Sequence, residues 1–227
     1  MDDFEAKDKV NPPKPNSVLF TGSSSFVKWT TMESDLAPIP VLNRSFGGSV
    51  YADVDYWVQR NVINYKPAAV VVYAGDNDLA APGKNTPPDA HRTTPEEVAQ
   101  EVRQFVTSVH AKLPATTIYV VSIKPSYLRW DVWPDMKHAN DLIQADIKKE
   151  KNVQYIDVAT PMFGGADKPP RDLFVEDGLH PTAKLYAMWT SIMKPILMKY
   201  APKGSSMSQR PDRPDPRAAF GFMPAHS

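Results

Sequence analysis

Two short segments of this chain carry residue types that could perform acyl transfer together. "EDGLHPT", residues 176 to 182, sets Asp177 three positions ahead of His180. In a turn, that spacing puts a carboxylate and an imidazole on one face, so the first can orient the second. "GSSS", residues 22 to 25, sets three hydroxyls behind a glycine at the end of an apolar run. A serine hydroxyl is unreactive near neutrality unless a base takes its proton, and an imidazole held at its other nitrogen by a carboxylate is such a base. Each segment also has a plainer reading. Asp177 can cap the last helix with His180 on a surface turn, and Gly-Ser clusters punctuate strands in many folds.

Acyl transfer also needs donors for the developing oxyanion, either backbone N–H groups or a neutral amide aimed at it. "FGGS" supplies Gly48, whose missing side chain lets its N–H approach a substrate, and "GDND" supplies Asn77 directly after an apolar run. An ordinary turn at Gly47–Gly48 and an Asx-turn at Asn77 are the alternatives.

These groups can meet only if the intervening elements bring them together. The apolar periodicity alternates between strand-like and helix-like runs, which predicts βαβ units and a parallel sheet with helices on both faces. Strands are expected at Val18–Thr21, Val41–Asn43, Ala69–Tyr73, Thr117–Ser122 and Val153–Asp157. Helices are expected at Ser24–Met32, Ala52–Asn64, Pro95–Leu113, Met136–Glu150 and Pro181–Tyr200. Thr94, Pro95 and Glu97 form a capping-box start for the third helix. Open parallel sheets bind ligands outside the carboxyl ends of their strands. Those ends here carry "TGSSS", "NRSFGGS", "AGDND" and "SIKPSYLRW".

Composition removes several function classes. Lys plus Arg and Asp plus Glu number 26 each, so no net field attracts nucleic acid or an anionic membrane. The absence of Cys excludes disulfides, thiolate ligands and a cysteine nucleophile. No apolar run approaches the roughly 20 residues that cross a bilayer. His91, His110 and His138 are scattered without the close spacing of a metal site, and no metal or cofactor is expected. The polar start lacks the pattern of a signal peptide, which leaves a cytoplasmic protein or an exported one whose leader has been removed. A single α/β domain over 17–202 is expected, between an extension at 1–16 and a Pro-, Ser- and Arg-rich tail at 203–227 read as disordered.

Serine after the first strand, glycine after the second, asparagine after the third, and Asp with His near the end form an ordered set. In that order the chain resembles the SGNH hydrolases, also called the GDSL esterase/lipase family. The resemblance runs over roughly residues 17 to 200 and implies a flavodoxin-like three-layer α/β/α sandwich with a five-stranded parallel sheet. It implies Ser24 as nucleophile, His180 as base and Asp177 as its partner. The Ser24 N–H, Gly48 N–H and Asn77 side chain are implied as the oxyanion hole. Ser23 stands where the family usually has Asp, and Ser45 where it often has a second Gly. Ser24 follows by register, with Ser23 and Ser25 as its immediate competitors. Family members with this kind of start are often exported, which points to a periplasmic or secreted origin.

The family acts on lipids, simple esters, acetylated sugars and thioesters, so the fold leaves the substrate open. Aromatic faces and guanidinium forks at Arg44, Tyr127, Arg129 and Trp130 suit a sugar ring or a carboxylate, although Trp130 and Trp133 can equally pack the loop onto the domain. No long apolar lid is evident for a fatty chain. A small-molecule or carbohydrate ester with a short acyl group is therefore expected. An acyltransferase using the same acyl-enzyme is one alternative, and a silent carbohydrate-binding domain on the same scaffold is another.

Overall fold

Val18–Gly22 reads VLFTG and Ala69–Tyr73 reads AVVVY, and in the computed structural model both are completely buried strands. The structure describes residues 1–80 and 93–204. A strand covered on both faces needs apolar side chains at every position rather than at alternate ones, as in a parallel sheet between two helical layers. In chain order the elements are α1 (Asp2–Val10), β1 (Val18–Gly22), α2 (Ser24–Val27), α3 (Met32–Leu36), β2 (Val41–Asn43), α4 (Tyr51–Tyr56), α5 (Val58–Asn61), β3 (Ala69–Tyr73), α6 (Pro95–His110), β4 (Thr117–Val121), α7 (Trp133–Ile147), β5 (Val153–Ile156) and α8 (Ala183–Leu197). The strands lie in the order β2-β1-β3-β4-β5 and every pairing is parallel, with Leu19 opposite Val70 and Val70 opposite Ile118.

Successive side chains of a strand point to opposite faces, and this divides the core in two. Leu19, Val70, Val72, Ile118 and Val120 pack with Val54, Val102, Phe105, Met136 and Ile143 under α4 to α7. Phe20, Val71, Tyr73 and Tyr119 pack with Phe26, Trp29, Leu36, Leu185 and Trp189 under α2, α3 and α8. Each fully enclosed Leu or Phe contributes roughly 1.5–3 kcal/mol. The result is the three-layer α/β/α sandwich with flavodoxin-like strand order. The expected capping box is present at α6, where Thr94 N donates to Glu97 Oε2 at 2.8 Å and Glu97 N donates to Thr94 Oγ1 at 3.3 Å. Among the described residues no helix is long and apolar enough to cross a membrane.

Two expected helices are broken by tertiary contacts. The run 24–32 divides into α2 and α3 because Trp29 turns inward, stacking on Tyr186 at 5.2 Å and donating through Nε1 to Asp35 at 2.7 Å. The run 52–64 divides at Trp57, beyond which Asn61 reaches under the sheet to donate to Thr21 Oγ1 at 2.8 Å and Arg44 O at 2.9 Å. The last helix starts at Ala183 rather than Pro181, because Pro181 forms an antiparallel bridge with Phe174.

The N-terminal extension is not a bare strand of chain. α1 has no buried residue of its own and is held by charges far along the sequence. Arg60 donates to Glu5 at 2.7 Å and to Asp2 at 2.5 Å, and Tyr65 donates to Asp8 at 2.6 Å. Arg44 completes this anchor, which corrects its expected role as a substrate contact. Its guanidinium pairs with Asp8 and lies 5.0 Å from the Phe4 ring centroid and 4.8 Å from that of Tyr65. Its charge is used to dock α1. Of the other expectations, His91 and the tail beyond residue 204 lie outside the described residues.

Candidate active site

The chain leaves β1 for β2 on one side and returns to β3 on the other, so the strand order reverses between β1 and β3 and opens a crevice at their carboxyl ends. Gly22 ends β1 there. Its φ is +125°, and a Cβ at this position would lie 1.9 Å from Tyr73 O, so only glycine lets the two strand ends touch. Ser23 N donates to that same oxygen at 2.8 Å. The turn sorts the three serines. Ser23 is fully enclosed and Ser25 is 1% exposed, while Ser24 is more open than either and begins α2.

From the opposite end of the chain, the turn before α8 brings His180 to Ser24. His180 Nε2 and Ser24 Oγ are 3.0 Å apart, and His180 Nδ1 and Asp177 Oδ2 are 2.5 Å apart. With the ring proton on Nδ1 donated to the carboxylate, Nε2 is free to accept from the serine hydroxyl. Asp177 is fastened by its other oxygen, which accepts from Leu179 N at 2.8 Å and His180 N at 2.9 Å. Burial alone would raise the Asp177 pKa. The hydrogen bonds from the His180 ring and the two backbone N–H groups outweigh it and hold the carboxyl well below the usual range. The carboxylate is thus ionised throughout the range above about pH 4, where an ordinary Asp also ionises. This arrangement can draw a proton from Ser24 and stabilise the imidazolium that forms.

Two loops bring potential oxyanion donors to the same edge. Gly48, in the loop after β2, is exposed, with a φ of +75° and nothing within 4 Å of the place a Cβ would occupy, so no side chain crowds its backbone. Among the described residues neither Ser24 N nor Gly48 N donates to a protein acceptor. Asn77 Nδ2 donates to Ser49 O at 2.9 Å and more weakly, at 3.4 Å, to Oγ of Ser23, the residue before Ser24.

The orientation of the Asn77 amide is set by residues that the sequence pattern did not single out for this role. Arg129 Nη2 donates to Asn77 Oδ1 at 2.8 Å and Arg129 Nη1 donates to Asp76 O at 2.7 Å. The guanidinium that was expected to meet a ligand is therefore taken up by the asparagine loop. Behind it the fully buried Lys124 lies 3.2 Å from Asp76 Oδ2, and Arg129 lies 3.4 Å from the same oxygen. Burial would raise the pKa of Asp76, but the two cations hold it below the usual carboxylate range, while burial pulls Lys124 down from its ordinary value. The available signals were a charged residue closing an apolar strand run in "VVSIKPS" and the first Asp of "GDND".

The second Asp of that block ties two loops together. Asp78 Oδ1 accepts from Tyr51 N at 2.9 Å, joining the asparagine loop to the start of α4 just after Gly48. Glu101 of α6 lies against Asp78, and burial first, then the Asp78 charge, push the Glu101 carboxyl up to about 7. Its folded value is above its unfolded one, so its contribution to stability is complete below the ordinary glutamate range and is lost as pH rises toward 7. We expect Glu101→Gln, which keeps the neutral form, to melt higher than wild type by roughly 2–4 °C at pH 8. The two should melt together at pH 5, and thermal unfolding followed by circular dichroism at both values measures the difference.

Of the remaining expected contacts, Tyr127 borders the turn that carries Asp177 and Trp130 lies beyond it. Leu128 N donates to Gly178 O at 3.0 Å, and Tyr127 packs edge-on to Phe174 at 5.8 Å. Trp130 stacks on Trp133 at 6.4 Å with an interplanar angle of 13°. His110 and His138 lie apart from the site, with ring nitrogens 3.0 Å from Thr116 O and Glu96 respectively.

Comparison with known proteins gives a consistent picture. Residues 16–188 match the model of the GDSL-like Lipase/Acylhydrolase family. The chain is 29% identical over 196 residues to platelet-activating factor acetylhydrolase IB subunit alpha2 of Gallus gallus, covering 81% of this chain and 75% of that protein. In fold it is similar to a GDSL-like lipase of Bacteroides thetaiotaomicron, with a TM-score of 0.72 and 20% identity over 87% of this chain and 97% of the other. It is also similar to a carbohydrate esterase family 3 protein of Talaromyces cellulolyticus, with a TM-score of 0.62 and 14% identity over 82% and 97% of the two chains.

Proposed function

Since the chain belongs to the GDSL-like Lipase/Acylhydrolase family and is an ester hydrolase, we propose that it cleaves short-chain acyl esters, acetate above all, from carbohydrate through a Ser24 acyl-enzyme. The observation that carries this reading is the unbroken relay from Ser24 Oγ to His180 Nε2 at 3.0 Å and from His180 Nδ1 to Asp177 at 2.5 Å.

His180 takes the Ser24 proton as the oxygen attacks the ester carbonyl, and Asp177 holds the tautomer and balances the imidazolium charge. The tetrahedral oxyanion is met by the Ser24 and Gly48 N–H groups and by the Asn77 amide, which Arg129 keeps turned the right way. Return of the proton from His180 to the alkoxide oxygen releases the alcohol and leaves acyl-Ser24. Water, activated by the same imidazole, then releases the acid.

Acetate is supported by the name of the 29% identical relative, an acetylhydrolase. Carbohydrate as the alcohol is supported by the aromatic wall beside the Asp177 turn, where Tyr127 and Trp130 flank Lys168. A comparison of p-nitrophenyl acetate, butyrate and octanoate, together with acetic acid release from acetylated xylan and from platelet-activating factor, tests the reading. It predicts that kcat/KM falls by at least about tenfold from acetate to octanoate, because an acyl site fitted to acetate has no room for a longer chain, which then displaces the carbonyl from Ser24, and a small misplacement of the reacting atoms costs on the order of 10²-fold. It also predicts deacetylation of xylan. Faster turnover of octanoate would replace it with a lipase, and acetic acid release from the phospholipid alone would replace the carbohydrate with a phospholipid as the alcohol.

A further inference from the structure

A cleft of about 500 Å³ opens between the first turns of α7 and the segment after β5, outside the catalytic crevice. Its size is that of a small-ligand site. Trp133 and Phe163 form its apolar wall, with centroids 5.5 Å apart and Trp130 stacked behind Trp133.

The polar lining narrows the ligand. Lys137 is neutralised by Asp141 at 2.8 Å, and the Asn140 amide is spent at both ends on Ile123, at 2.8 Å to its N–H and 2.9 Å to its carbonyl. Asp157 Oδ1 accepts from Ala159 N and Thr160 N, each at 3.0 Å. Among the described residues Asp157 Oδ2, the Gln144 amide and the Thr160 hydroxyl have no side-chain or backbone partner. The Gln144 amide and the Thr160 hydroxyl can both give and accept hydrogen bonds, and the Asp157 oxygen accepts them. An anion would face the Asp157 and Asp141 carboxylates, and a lone cation would find one unpaired carboxylate oxygen beside a lysine. A neutral ring with adjacent hydroxyls on its edge and C–H groups on its face satisfies both the polar groups and the indole.

The cleft is joined to the reaction site by continuous side-chain contact. Tyr127 borders the turn that carries Asp177, Lys168 Nζ lies 4.2 Å from the Tyr127 ring and 4.9 Å from that of Trp130, and Trp130 leads to Trp133 at the cleft. We propose that this cleft is a glycan subsite, which holds pyranose residues of a neutral oligosaccharide while an ester further along the same chain lies at Ser24. It deepens the carbohydrate-ester reading and rests on it for the nature of the chain.

Binding can be read without turnover. Titrating the Ser24→Ala protein with unacetylated xylohexaose and cellohexaose by calorimetry is expected to give saturable binding of at least one. Adding Gln144→Trp, an exposed change that fills the cleft from α7, should weaken it by about tenfold or more, which is 1.4 kcal/mol. Trp133→Ala should do the same. In the protein that retains Ser24, Gln144→Trp should leave p-nitrophenyl acetate turnover within about twofold of wild type. The subsite is overturned if neither hexasaccharide binds, if binding survives both substitutions, or if tetramethylammonium chloride is bound in their place. An inert wild type towards p-nitrophenyl acetate would instead refute the esterase reading and leave the binding result standing by itself.

Discussion

Ser24→Ala is expected to lower kcat towards p-nitrophenyl acetate by about 10⁴- to 10⁶-fold, as loss of a triad nucleophile does elsewhere. Ser23→Ala and Ser25→Ala should stay within about tenfold of wild type. The three hydroxyls are adjacent in sequence, yet they occupy different environments. Ser23 is enclosed beneath Asn77, which reaches its hydroxyl at only 3.4 Å. Ser25 is buried under α8, where its carbonyl accepts from the Tyr186 hydroxyl at 2.8 Å. Ser24 is the one within 3.0 Å of the imidazole. Initial rates for the three variants should be paired with mass spectrometry after treatment with a fluorophosphonate. One covalent adduct is expected on wild type, Ser23→Ala and Ser25→Ala, and none on Ser24→Ala. Full activity in Ser24→Ala would move the nucleophile to another residue and overturn the mechanism.

Asn77→Ala should lower kcat by about 10²–10³-fold with little change in KM, the usual cost of one oxyanion donor. Arg129→Met is expected to have the same signature at about 10–10²-fold, because a misaligned donor loses much of its effect without being removed. Arg129 donates to Asn77 Oδ1 at 2.8 Å, and this directs the amide nitrogen towards the serines. Arg129→Lys should recover part of the loss, since an ammonium on a similar stem can reach one acceptor but cannot fork to two. The double variant Asn77→Ala, Arg129→Met discriminates best. If Arg129 acts through Asn77, the pair costs no more than Asn77→Ala alone, whereas strictly multiplying losses would assign Arg129 a separate role. Asp76 keeps Lys124 at 3.2 Å in these variants, so the buried carboxylate is never left without a cation.

The inner strands were legible from the chain because a buried parallel strand requires an unbroken apolar run. Ala69–Tyr73, buried at every position, begins and ends where the pattern placed it, and so does the partly buried edge strand Val41–Asn43. α6 was legible because its capping box and its buried stripe of Val98, Val102, Phe105 and Val109 are local in sequence. α1 was not, since it buries none of its own residues and is held by Arg44, Arg60 and Tyr65, between 36 and 58 positions away. The breaks after α2 and at Trp57 were hidden for the same reason. Helical periodicity runs through both, and only the inward turn of Trp29 and of Asn61 interrupts it.

The sequence by itself determined the layered class, the order of the chemical groups along it and their arrival at strand ends, because strand periodicity, glycine turns and residue chemistry are all local properties. It also placed Asp177 and His180 within reach of each other, since three positions in a turn suffice. Only the tertiary structure decided which serine meets the imidazole, across a separation of 156 residues. It likewise decided that Arg44 docks a helix, that Arg129 turns an amide, and that Lys124 is buried against Asp76. A guanidinium or ammonium group carries the same charge wherever it lies, and its role follows from the carboxylate or amide that folding places beside it. That neighbour is chosen by the packing of the two cores and not by any spacing along the chain.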